Sequence, residues 1–148
     1  VESGAGAVVE KHRAELSMNK RRAVNKSLSE WQAVLEISEW VVQTRLYQRL
    51  KQDGEAIDWR YSEKTARMNL NGSESIDKLE YALAHELSHL LHAPENRVFD
   101  NLLETKLLKR ERKAWEEQFN LAQNESIEHY LRIIYSLLGK IYPPHKGD

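Results

Sequence analysis

Three observations predict a helix-dominated α+β fold in a single domain: long stretches whose apolar residues recur at steps of three and four, one central stretch in which they alternate, and a leucine stripe directly after it. The chain has 148 residues, enough for one domain with a real core and too few for two ordinary ones. From Glu10 to Lys26 basic residues outnumber acidic ones and large apolar residues are few. Residues 1–26 therefore read as a basic N-terminal arm, loosely ordered or helical, ahead of a domain over 27–148. Ser27 and Glu30 match a capping box, and Trp31, Val34, Leu35, Val41, Val42, Leu46 and Leu50 follow at helical spacing. That pattern predicts a helix from Ser27 to about Gln52, stopped by Asp53-Gly54.

The period then changes. Ile57, Trp59 and Tyr61 alternate, as do Ala66, Met68 and Leu70, which predicts a short strand pair closed by Asn71-Gly72. Ser73 or Ser75 can cap the next helix, in which Ile76, Leu79, Leu83, Leu87 and Leu90 form a buried stripe ending near Pro94. After a linking segment, a charged helix is expected from Leu102 to about Ala122. A last amphipathic helix carries Ile127, Tyr130, Leu131, Ile134, Leu138 and Ile141 and stops at Pro143-Pro144.

Composition narrows the chemistry before any motif is considered. There is no cysteine, which removes disulfides, thiol nucleophiles and every thiolate zinc site, so a metal would have to be held by His, Asp or Glu. No apolar run reaches the roughly 18–20 residues of a membrane span, and the opening residues lack signal-peptide order. A cytoplasmic protein without a membrane partner is expected. The net charge of −1 provides no global attraction to nucleic acid, and direct binding through Lys20, Arg21, Arg22 and Lys26 is not favoured.

The chemical motif is His85-Glu86-Leu87-Ser88-His89, an HExxH sequence on a predicted helix. Side chains four apart lie about 40° apart around a helix axis, so both imidazoles can reach one zinc ion per chain. Glu86, about 100° around from His85, is placed to act as general base on a zinc-activated water rather than as a ligand. The leucine stripe buries the opposite face and aims the histidines toward a cleft.

A catalytic zinc site needs a third protein ligand. His92 follows on nearly the same helix face and reads as a supporting group. Glu95 stands where a metzincin would place its third ligand, but His92 replaces the glycine that pattern requires. Glu111, on the following helix and close to the small Ala114, gives the His₂Glu arrangement of gluzincins; Glu104, seven residues earlier on the same face, is its rival. Tyr81, one turn before His85, and His129 are candidates for steadying an oxyanion.

From about Ala66 to Phe119 the chain resembles the ImmA/IrrE family of metallopeptidases. The resemblance rests on Met68-Asn69-Leu70-Asn71, on Leu79–Leu91 with its HExxH, and on Glu111-Arg112-Lys113-Ala114-Trp115 against the family's Glu-x-x-Ala-Asn/Asp. Trp115 departs from that pattern, and Ser88 stands where the family has glycine. The resemblance implies a zincin-like fold, a gluzincin-type zinc site completed by Glu111, and a regulatory endopeptidase of mobile elements that cuts a protein substrate such as a DNA-binding repressor. An extended substrate is expected to add to a free strand edge at Ala66–Leu70. The alternative reading is a non-proteolytic metal-binding or partner-docking module, against which the presence of Glu86 argues.

Overall fold

The computed structural model describes residues 3–47, 56–104 and 111–143. It is a helix-dominated α+β domain in the order α1 (Ser3–Val34), β1 (Val41–Tyr47), β2 (Ala56–Arg60), β3 (Thr65–Asn71), α2 (Ile76–Leu91), α3 (Ala93–Leu103) and α4 (Arg112–Leu137). No helix among the described residues is long and apolar enough to cross a membrane.

The N-terminal elements differ from the sequence expectation. Ser27 does not start a helix: α1 runs continuously through it and ends at Val34. Glu36 adopts a left-handed backbone (φ 57°), and the Gln32 amide donates to the carbonyls of Ile37 (3.2 Å) and Trp40 (2.8 Å), tying down the turn that leads into β1. Beyond it Val-Val-Gln-Thr-Arg-Leu-Tyr is a strand, not the second half of a helix. Val42, Thr44 and Leu46 are two apart as well as near helical spacing, and β-branched residues suit the pleated alternative. The expected stop at Gln52–Gly54 lies outside the described residues.

The sheet order is β1-β3-β2, with β1 parallel and β2 antiparallel to β3. The expected strand pair is therefore present, joined by a turn in which Lys64 takes φ 50°, but it belongs to a three-stranded sheet. Register aligns Val42 with Ala66 and Leu46 with Leu70 on one side, and Ile57 with Met68 and Trp59 with Ala66 on the other. Those residues form one face, and Ala66, Met68 and Leu70 at its centre are buried. β3 consequently has both edges occupied. The free edge expected at Ala66–Leu70 is not there; the outer strands are β1 and β2.

α2 packs on that face. Ser75 caps it, accepting from the Lys78 N–H, and Leu79, Leu83, Ala84, Leu87 and Leu90 are buried, whereas Ile76 is exposed at the helix start. The segment expected to link α2 to the next helix is itself helical: Pro94 sits in the first turn of α3, where its missing N–H costs nothing. The two C-terminal helices expected from periodicity are one, α4, which begins after Glu111 and buries Gln123, Ile127, Leu131 and Tyr135 at steps of four. Leu138 and Ile141 lie beyond it and are exposed. Residues 105–110, part of the expected charged helix, lie outside the described residues.

Trp31 joins the helices. Its ring is buried and stacks on Tyr135 with centroids 5.4 Å apart, and its indole N–H donates to Glu80 of α2 at 3.0 Å, which in turn pairs with Lys140 at 2.8 Å. Trp31→Ala is expected to lower unfolding free energy by about 3–5 kcal/mol, as removal of a buried large aromatic does. Chemical denaturation measures this; a loss below about 1 kcal/mol would show that α1 contributes little to the fold.

Candidate metal and catalytic site

His85 and His89 occupy successive turns of α2 on the side facing α4, with ring centroids 5.2 Å apart and planes at 73°. Each has its Nδ1 held from α4. His85 Nδ1 lies 2.8 Å from Glu128 Oε1, and His89 Nδ1 lies 2.7 Å from Gln123 Oε1. The chemistry of the partners fixes the tautomers. A carboxylate only accepts, so His85 carries its proton on Nδ1. Gln123 uses its amide nitrogen to donate to Asn96 Oδ1 at 2.6 Å, so its oxygen accepts from His89. In the neutral rings both Nε2 atoms then carry lone pairs. Metal-binding histidines are usually held in this way, the remote ring N–H tied to a carboxylate or amide oxygen and the other nitrogen left as donor.

Glu128 is a hub. Besides His85, it accepts from the hydroxyl of Tyr81 on Oε1 and from that of Tyr142 on Oε2. Tyr142 reaches it because the chain reverses after α4 at Gly139, in the left-handed region (φ 69°). Between Gln123 and Glu128, Asn124 turns the same way. Its Oδ1 is buried without a hydrogen-bond partner, although the side chain lies near enough to both imidazoles to favour their protonated forms.

The two imidazoles are electrostatically unlike. For His85, burial acts to lower the pKa but is outweighed by the Glu128 hydrogen bond and the charges of Glu86 and Glu128, so the net direction is upward from 6.5. For His89, burial is again the largest influence and lowers the pKa; His85 and His92 add to it, and Gln123 opposes it only in part. Burial followed by the Glu128 contact pushes the Tyr81 hydroxyl far up, so it stays protonated at any physiological pH.

Glu86 sits between the histidines in sequence, half-buried on α2, and contributes negative charge at His85. The remaining expected site residues are not brought to the pair. Glu111 is the exposed N-cap of α4, about 18 Å along the helix axis from Gln123 at 1.5 Å per residue. Glu104 is the exposed C-cap of α3. Glu95 is exposed and pairs with His92 Nδ1 at 3.0 Å, while the His92 ring stacks on Tyr130. His129 is exposed, one residue beyond Glu128 on another face of α4. Tyr81 is at the site, but its hydroxyl is committed to Glu128.

The sequence reading missed Gln123, Asn124, Glu128 and Tyr142. A signal existed for the first three: polar residues interrupt the inward face of a helix whose other inward positions are Ile127 and Leu131, and a buried polar group requires a partner.

Two imidazoles on one tetrahedral zinc ion, each nitrogen about 2.0–2.1 Å away, place their ring centroids roughly 5 Å apart, so the observed spacing fits a shared ion. Among the described residues, however, no group of three or more His, Asp or Glu side chains converges as a metal-binding cluster. Comparison with protein-family models, curated proteins and solved structures gives no match.

A groove of about 570 Å³ runs between β2 and α3, lined by Ile57, Trp59, Tyr61, Asn96, Arg97 and Asp100 among others. Asn96 belongs to both this groove and the Gln123–His89 chain.

In the metal-free protein the two histidines are expected to titrate on opposite sides of 6.5, His85 above and His89 below. His85 then adds stability at low pH that fades as pH rises through its folded value; His89 adds stability at high pH that fades as pH falls through its own. Imidazole proton resonances followed against pH give the order directly, and a His89 midpoint above that of His85 would contradict it.

Proposed function

We propose that this chain is a zinc-dependent peptidase whose metal is held by His85 and His89 and whose general base is Glu86. The observation that carries the reading is the pair of imidazoles 5.2 Å apart, each held through Nδ1 by α4, on a helix that also bears the glutamate of an HExxH sequence. The resemblance to ImmA/IrrE metallopeptidases supports the same reading, and with it a regulatory protein, such as a DNA-binding repressor, as substrate class.

Zinc, when bound, would polarise the scissile carbonyl and make water acidic near neutral pH. The chain's own residues do the rest. Glu128 and Gln123 hold the two rings so that neither has to be ordered on binding, which removes an entropic cost at the moment of ligation. Glu86 takes a proton from the attacking water and returns it to the departing amine, the two transfers a general acid–base makes in peptide hydrolysis. The Tyr81 hydroxyl donates to the Glu128 carboxylate and so helps hold it against His85. The groove between β2 and α3 accepts an extended polypeptide, with β2 as the strand edge that offers backbone groups in place of the buried β3.

A Glu86→Gln variant separates catalysis from metal binding. It is expected to keep zinc while cleavage of an unstructured protein substrate such as casein, or of a repressor substrate once found, falls by about 10²–10⁴-fold. Zinc retention with unchanged cleavage would remove Glu86 as base. Zinc-loaded parent protein that cleaves no member of a peptide library would favour the metal-binding or partner-docking module.

A further inference from the structure

We propose that the third protein donor to the metal is the carboxamide oxygen of Asn124, with Glu128 as a positioning residue that acts through His85. This rests on the zinc reading above and deepens it. Three observations lead to Asn124. Among the described residues no group of three or more His, Asp or Glu side chains is arranged to hold a metal ion. Glu128, the nearest carboxylate, is already engaged on both oxygens, by Tyr81 and His85 on Oε1 and by Tyr142 on Oε2. Asn124 Oδ1, by contrast, is buried with no hydrogen-bond partner, next to Gln123 and one turn before Glu128 on the face of α4 that brings those two side chains to His89 and His85.

An orphaned carbonyl oxygen in a protein interior costs free energy unless something pairs with it, and a cation facing two imidazole lone pairs would do so. The donor set is then all neutral: two imidazoles and a carboxamide. Neutral sets are used by catalytic zinc, the His₃ site being the familiar case, and they leave the ion's full charge to act on substrate and water. The counter-charge comes from Glu86 and Glu128, which lie beside the ligands instead of among them. Affinity should be lower than in a His₂Glu site, because an amide oxygen binds less strongly than a carboxylate.

Cobalt(II) serves as the probe, since its visible d–d bands report the atoms directly bound to the ion. The full-length chain is titrated with cobalt and, in competition, with zinc. The parent is expected to bind one ion with bands typical of a four- or five-coordinate site. Asn124→Ala should weaken binding by more than the roughly 10–100-fold that loss of an outer partner costs, and should move the bands. Asn124→Asp, which keeps the shape and adds a charge, should bind more tightly than the parent, also with moved bands; it decides the matter if the alanine variant does not fold. Glu128→Gln should weaken binding by about 10–100-fold with bands unmoved. Bands that move in Glu128→Gln and stay fixed in both Asn124 variants would overturn the proposal and make Glu128 the ligand. A parent that binds no better than His85→Ala would overturn the zinc reading itself, and the proposal with it.

Discussion

Everything that makes this fold chemically interesting depends on one contact, the face of α4 laid against the histidine face of α2. An HExxH sequence alone puts two imidazoles on one side of a helix; it does not tell either ring which way to turn. Glu128 and Gln123 do that, one with a charge and one with an amide, and each is itself held, Glu128 by two tyrosine hydroxyls and Gln123 by Asn96. Burial acts to lower the pKa of both rings, and only at His85 is it outweighed, by the Glu128 hydrogen bond and the charges of Glu86 and Glu128.

Packing keeps that contact in register. Leu79, Leu83 and Leu87 fix α2 on the sheet through the buried row Ala66, Met68 and Leu70, and Ile127, Leu131 and Tyr135 continue the core along α4. Trp31 closes the third side by stacking on Tyr135 and donating to Glu80. Lys140 binds that same glutamate, so the segment after α4 is anchored two residues before Tyr142 meets Glu128. An apolar scaffold and a polar chain thus end on the same pair of rings, and together they hold both imidazoles in place.

The helix-dominated class, the β2–β3 pair and the helix that carries His85 and His89 were legible in the sequence because each is a local pattern: alternation at Ile57–Trp59 and Ala66–Leu70, a cap at Ser75, a leucine stripe after it. The errors came where two periods coincide or where partners are distant. Val41–Tyr47 satisfies both helical and strand spacing, and only pairing with β3, whose register lies 24 residues downstream, selects the strand. Ser27–Glu30 has the form of a cap, yet the preceding residues are good enough helix formers to continue through it. Glu111 satisfies the spacing of a third donor, and in the structure it opens α4, about three turns before that helix reaches the histidines of α2 through Gln123. Gln123, Asn124 and Glu128 had no motif to announce them, since their significance lies in what they face.

The central claim is that α2 and α4 together present two imidazole nitrogens to one metal ion, and X-ray absorption at the zinc edge tests it most directly. The zinc-loaded chain is expected to show two imidazole nitrogens about 2.0–2.1 Å from the metal, with oxygen atoms completing a shell of four or five. A shell made of oxygen alone, or a spectrum unchanged when His85 and His89 are both replaced by alanine, would contradict it.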